Sequence, residues 1–127
     1  MSAVAHVKRG NGELVATRVE ERSEGGRVAY VTVTNEAKYN ALPAEGRRAI
    51  GEAMKTLSHD PELRVIVLTG AGDKAFIGGA NVGEMSEFPN ARVAEEGSAQ
   101  THYACDQIRR APVPVIARIN GYCLGAG

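Results

Sequence analysis

The stretch "RVIVLTG", residues 64–70, is an apolar run of β-formers that ends on glycine. A run of this kind suits a strand covered on both faces, as in a parallel sheet flanked by helices. Its surroundings agree. Upstream, Ile50, Ala53, Met54 and Leu57 recur at helical spacing behind Pro43, which is placed for the first turn of a helix, and "SHDP" (58–61) stops it. Downstream, residues 90–110 carry Val93, Gly97, Thr101, Ala104, Cys105 and Ile108 along one side of a second helix. Pro112 and Pro114 break that helix, and "VPVIARIN" (113–120) predicts another buried strand. Helices alternating with apolar strands from residue 43 onward place the chain in the α/β class.

Before residue 43 the pattern is different. Residues 1–12 read as a loose start, so that residues 13–127 carry the domain. "LVATRV" (14–19) and "RVAYVTVT" (27–34) are β-rich runs joined through Gly25-Gly26, which predicts a hairpin. In the second run Ala29, Val31 and Val33 alternate with Val28, Tyr30, Thr32 and Thr34, so one face is expected to be the better buried. "NEAKYNAL" (35–42) is a polar connection. "AGDKAFIGGANVGEM" (71–85) reads as a loop until a short turn near Val82 to Met85, and "GYCLGAG" (121–127) begins a second glycine-rich loop.

Composition narrows the function classes. The chain has 127 residues, one domain's worth or less, and fifteen basic residues balance fifteen acidic ones. That balance gives no reason to expect nucleic acid or an anionic membrane as partner. Cys105 and Cys123 do not make a disulfide framework, and no second pair supplies a metal knuckle. No stretch reaches the ~18 apolar residues of a membrane span, and "MSAVAHVKRG" lacks a signal-peptide core, so the expected location is the cytoplasm.

Two motifs bear on chemistry. Gly70, Gly72 and Ala75 satisfy G-x-G-x-x-G/A directly after a strand, the dinucleotide fingerprint. The fingerprint needs a helix opening on that loop and an acidic residue ending the next strand. Phe76-Ile77-Gly78-Gly79 interrupts such a helix, and Glu95-Glu96 fall inside a helical segment, which argues against it. The second motif is a pair of small-residue loops, "GGAN" (78–81) and "GYCLGAG", each fed by its own strand. Loops of Gly and Ala leave backbone N–H groups accessible, and two such groups aimed at one point stabilise a carbonyl oxygen that gains negative charge. The residues by themselves equally suit two tight turns packed against a neighbouring backbone.

"NEAKYNAL", "AFIGGANVGEM" and "PVPVIARINGYCLGAG", in this order and spacing, resemble the crotonase family, also called the enoyl-CoA hydratase/isomerase family, over about residues 12–127. The resemblance implies a spiral of ββα units, commonly assembled as trimers or hexamers, and a site for an acyl-CoA thioester. It implies that the backbone amides of Ala80 and Ala126 form an oxyanion hole for the thioester enolate. It places the CoA adenine and pantetheine against "AKYNAL" and the backbone of Ala80, Asn81 and Val82, with Gly78-Gly79 leaving room for the acyl group. Lys38 becomes a candidate partner for the CoA phosphates, beside its reading as a solvated loop lysine. CoA is then part of the substrate, and no separate cofactor is expected.

Two positions depart from the family's pattern. Asn81 stands where many members have Asp, and Gly83 where many have a basic residue that reaches the CoA phosphates. The general acid and base of hydration fall, by the same resemblance, beyond Gly127, so the 127 residues read as the N-terminal half of the family domain, inert by themselves. The leading expectation is an enoyl-CoA hydratase, with an isomerase or a non-catalytic crotonase-like binding module as alternatives. The other polar residues add little. His6, His59 and His102 lie in unrelated segments and read as surface or packing residues. Cys123 reads as a buried small residue rather than a reactive thiol. Glu84 and Glu87 read as the solvated face of a short helix rather than as groups turned to the acyl pocket.

Overall fold

A computed structural model describes residues 13–80 and 90–127. Strands β1 (Val15–Glu21) and β2 (Arg27–Val33) form the expected hairpin. Gly25 and Gly26, at φ of 93° and 86°, supply the left-handed backbone that its loop requires. A 3₁₀ turn (Glu36–Lys38) leads to helix α1 (Ala44–Leu57), then to β3 (Leu63–Gly70). The short strand β4 (Ala75–Ile77), helix α2 (Ala91–Arg110), β5 (Val115–Arg118) and β6 (Tyr122–Cys123) complete the described order.

Among the described residues, four strands make the main sheet in the order β1-β2-β3-β5, antiparallel at the hairpin and parallel across β2-β3 and β3-β5. Strands β4 and β6 pair in parallel as a second, two-stranded sheet. Two strands and a helix therefore recur as β1-β2-α1 and β3-β4-α2, and β5-β6 repeats the strand pair.

Burial follows the alternation read in β2. Ala29, Val31 and Val33 have no accessible surface, and in register Ala29 meets Ile66 and Val31 meets Leu68 on the same buried face. Helix α1 lays Ile50, Met54 and Leu57 on that face. Its ends obey local chemistry. Pro43 is the N-cap, one residue before the helical turn where it was expected, and its carbonyl accepts from Gly46 and Arg47. Ser58 closes the helix by donating its hydroxyl to Met54 O at 2.7 Å. Helix α2 starts on Asn90, whose side chain accepts from Val93 N. The helices meet where Gly51 admits the Tyr103 ring: a Cβ at residue 51 would overlap it, and Tyr103 donates to Glu52 at 3.0 Å.

Several expectations fail here. Residues 75–77 are a strand, not loop, and Tyr122–Cys123 in the second glycine-rich segment are a strand too. The turn expected near Val82 to Met85 lies outside the described residues. Strand β5 is largely exposed, with Ile116 at 53%, because it is the edge of the described sheet. Strand β3 buries Ile66 and Leu68 but leaves Val65 and Val67 half-buried, since the described helices cover one face of the sheet. Cys105 and Cys123 are both exposed: Cys105 turns away from α1 while its neighbour Ala104 is buried, and Cys123 lies on the open strand β6.

Candidate functional site

The segment after β3 does not open a helix, as a dinucleotide site would require; it turns and enters β4. Two asparagines hold that turn. Asn40, 1% exposed, donates from Nδ2 to Ala71 O at 3.0 Å and Ala75 O at 2.9 Å, and its Oδ1 accepts from Asn35 N. Asn120 donates to Gly70 O and Gly72 O, both at 2.8 Å, while its Oδ1 accepts from Gly70 N at 3.2 Å. Gly70 has no space for a Cβ, which would overlap the carbonyls of Ala75 and Phe76. Buried carbonyls are costly without partners, so this network fixes the path of the chain into β4.

Beyond β4 the two small-residue loops meet. Leu124 N donates to Ile77 O at 3.2 Å, at the end of the β4-β6 pairing. A Cβ placed on Gly79 would sit 3.3 Å from Leu124 O, and one on Gly125 would sit 3.7 Å from Gly79 Cα. The backbones of Ile77 and Gly79 thus pack against those of Leu124, Gly125 and Gly127. Gly125 is left-handed at φ 53°, and Gly127 N donates back to Leu124 O, which turns the second loop. Neither the Ala80 nor the Ala126 N–H has a hydrogen-bond acceptor among the described residues. Chemically, this is a place where two small-residue loops meet, each with a backbone donor left without an acceptor among the described residues.

The segment 35–42 forms the third wall. Tyr39 and Asn40 are both left-handed, at φ 52° and 54°, a conformation Asn tolerates better than Tyr. The Tyr39 carbonyl lies against Gly78, where a Cβ would overlap it. Leu42 N donates to Gly79 O at 2.9 Å, and Leu42 forms a parallel bridge with Ala80. Tyr39 and Tyr122 make an edge-on contact at 6.2 Å and, with Leu124, leave exposed apolar surface on the walls of the loops.

Of the sequence-predicted site residues, Gly79 is buried, Ala80 is half-buried and Ala126 is exposed in its turn. Lys38 is exposed at the end of the 3₁₀ turn. It does not line the cleft of about 240 Å³ between residues 36–40 and 71–75; Lys74 does, with Glu36, Tyr39, Asn40 and Asp73. Asn81, Val82, Gly83, Glu84, Glu87 and His6 lie outside the described residues. His59, in the turn after α1, bonds back to that helix at Lys55 O, and His102 is exposed; both are remote in sequence from the loops. A larger cavity, about 700 Å³, lies apart from the loops between β1 and α1, lined by apolar Val15, Val19, Ala49 and Ala53.

Sequence reasoning missed Asn40, Asn120 and Arg47. Asn40 had a signal, being the residue type best suited to a left-handed position in a polar connection. Arg47 had none. It sits one turn into α1 at 6% exposure, donating to Leu42 O at 2.6 Å and Gly97 O at 3.1 Å.

The enoyl-CoA hydratase/isomerase family model matches residues 23–127. A short-chain-enoyl-CoA hydratase of Clostridium acetobutylicum is 31% identical over 102 residues, 80% of this chain and 39% of that protein. A crotonyl-CoA hydratase of Syntrophomonas wolfei is 31% identical over 101 residues, covering 80% of this chain and 38% of its own. Among solved structures, an enoyl-CoA hydratase/carnithine racemase from Magnetospirillum magneticum superposes with a TM-score of 0.79 at 33% identity, covering 91% of this chain and 42% of that one. The chain therefore spans about two fifths of the length of the relatives it matches.

Proposed function

This chain belongs to the enoyl-CoA hydratase/isomerase family, and on that premise we propose that it supplies the thioester-holding part of an enoyl-CoA hydratase, which adds water syn across the double bond of a 2-enoyl-CoA. Its fold is the α/β crotonase-like fold of its structural neighbours. The observation that carries the reading is the meeting of residues 77–80 with 124–127, with the Ala80 and Ala126 N–H groups free of acceptors among the described residues.

In this reading the thioester oxygen lies between those two amides. As the nucleophile adds at the β-carbon, charge moves onto that oxygen, and donors already fixed by the fold stabilise it without reorganising. Gly79, buried and lacking a side chain, leaves room for the acyl group. Asn81, Val82 and Lys38 contribute to the CoA moiety, Lys38 from its exposed turn. CoA enters as part of the substrate, with no further cofactor. The working form is a homotrimer or hexamer in the cytoplasm, acting on small thioesters rather than on nucleic acid or membranes. No described helix is long and apolar enough to cross a membrane.

The test uses the protein expressed from its complete reading frame and follows loss of the conjugated enoyl thioester of crotonyl-CoA. Ala80→Gly keeps the donor and loses modest activity through loop freedom. Ala80→Pro deletes the donor and lowers turnover on the order of 10²–10³. A folded Pro variant as fast as the parent removes Ala80 from the oxyanion hole.

A further inference from the structure

Arg47 places a guanidinium in the interior, between the start of α1, the chain entering it and the second turn of α2. A charge is costly to bury unless strong hydrogen bonds compensate it. Two of its bonds go to backbone carbonyls, and the shorter, 2.6 Å, goes to Leu42 O. Leu42 is also the residue whose N–H donates to Gly79 O at 2.9 Å.

That second bond has a directional effect on the proposed site. The Gly79 carbonyl and the Ala80 N–H belong to one peptide group, planar and trans, so the two point in opposite directions. Fixing the carbonyl on Leu42 therefore aims the Ala80 N–H away from Leu42. Arg47 holds the other peptide of Leu42, and the pair of bonds sets Leu42 between Arg47 and Gly79. The second guanidinium bond, to Gly97 O, anchors this frame to α2.

We propose that Arg47 is a positioning residue for the Ala80 N–H, acting through Leu42 and the Gly79–Ala80 peptide. The proposal rests on the hydratase reading for its functional consequence, but the physical link stands in the free protein. Lys in its place keeps the charge and loses the two-point fork, whereas Met keeps much of the volume and loses both.

The first measurement is made without ligand. The ¹³C′ shift of Gly79 and the ¹⁵N shift of Ala80 are compared between parent and Arg47→Lys, and both are expected to move. Unmoved shifts at both atoms overturn the proposal, whatever the activity. The second measurement is steady-state hydration of crotonyl-CoA by the protein from the complete reading frame. For Arg47→Lys and Arg47→Met, kcat is expected to fall about tenfold with KM within about twofold, the mark of a donor used in the transition state. The carbonyl band of bound ¹³C-labelled butyryl-CoA shifts less to the red than in the parent. A lowered melting temperature with kcat and carbonyl band unchanged means Arg47 is merely structural and overturns the proposal. If Arg47→Met does not fold, Arg47→Lys decides alone. A parent without hydration activity whose Gly79 and Ala80 shifts still respond to Arg47→Lys strikes the hydratase reading and upholds the link.

Discussion

Asn40 and Asn120 hold the same turn: the first donates to Ala71 O and Ala75 O, the second to Gly70 O and Gly72 O. They differ in burial, Asn40 at 1% exposure and Asn120 half-buried. Removing Asn40 leaves two carbonyls and the Asn35 N–H without that partner, and the Ala75 carbonyl is buried. Asn40→Ala is therefore expected to cost roughly 3 kcal/mol and Asn120→Ala about 1 kcal/mol, because Asn120 is half-buried and the Gly72 carbonyl it leaves behind is exposed to water. Urea unfolding of the two variants checks the order; equal losses would show that burial does not decide it.

The α1–α2 contact makes a second prediction. Gly51→Ala drives a Cβ into the Tyr103 ring and should destabilise by about 1–3 kcal/mol despite the better helix propensity of Ala. In a Tyr103→Ala background the same change should be neutral or stabilising. A double-mutant cycle reads the coupling, and additive effects would mean the ring is not the obstacle.

The loop between α1 and β3 is tied to the hairpin by Arg27, which bonds both carboxylate oxygens of Asp60 at 2.9 and 3.1 Å. Burial pushes the Asp60 carboxyl up, but the Glu62 N–H and the Arg27 guanidinium outweigh it and hold it below the ordinary value of 3.8. The folded state thus binds the proton more weakly than the unfolded one. The stabilisation is present above the ordinary value and is lost as pH falls through the folded one. The paired Arg27 is raised from an already high value, so it adds no pH dependence in the neutral range. Unfolding midpoints should fall more steeply below about pH 4 in the parent than in Asp60→Asn. Identical acid profiles would remove Asp60 from the linkage.

Exposed apolar side chains gather in and beside the last two strands: Ile116 at 53%, Ile119 at 58%, Tyr122 at 62% and Leu124 at 58%. Strand β5 also has an unpaired edge in the described sheet. Residues 1–127 expressed alone should bind a hydrophobic dye and sediment above the monomer mass. Ile116→Lys should reduce both signals; a monomer with no dye uptake would contradict this reading of the surface.

The sequence by itself determined the elements whose signal is local. The alternation of Ala29, Val31 and Val33 fixed the buried face of β2, and the spacing of Ile50, Met54 and Leu57 fixed the core face of α1. The glycine pairs marked the hairpin and the two small-residue loops, since few other residues accept those conformations or contacts. Tertiary structure alone decided the rest. Strands of three and two residues, Ala75–Ile77 and Tyr122–Cys123, carry too few residues to show a period, and they exist by pairing with each other across the chain. The apolar run of β5 reads as buried, yet exposure depends on what covers an edge, which no local pattern records. Arg47 and Asn40 are polar residues in solvent-like sequence contexts; they are buried because distant backbone carbonyls, brought near only by the fold, satisfy their hydrogen bonds.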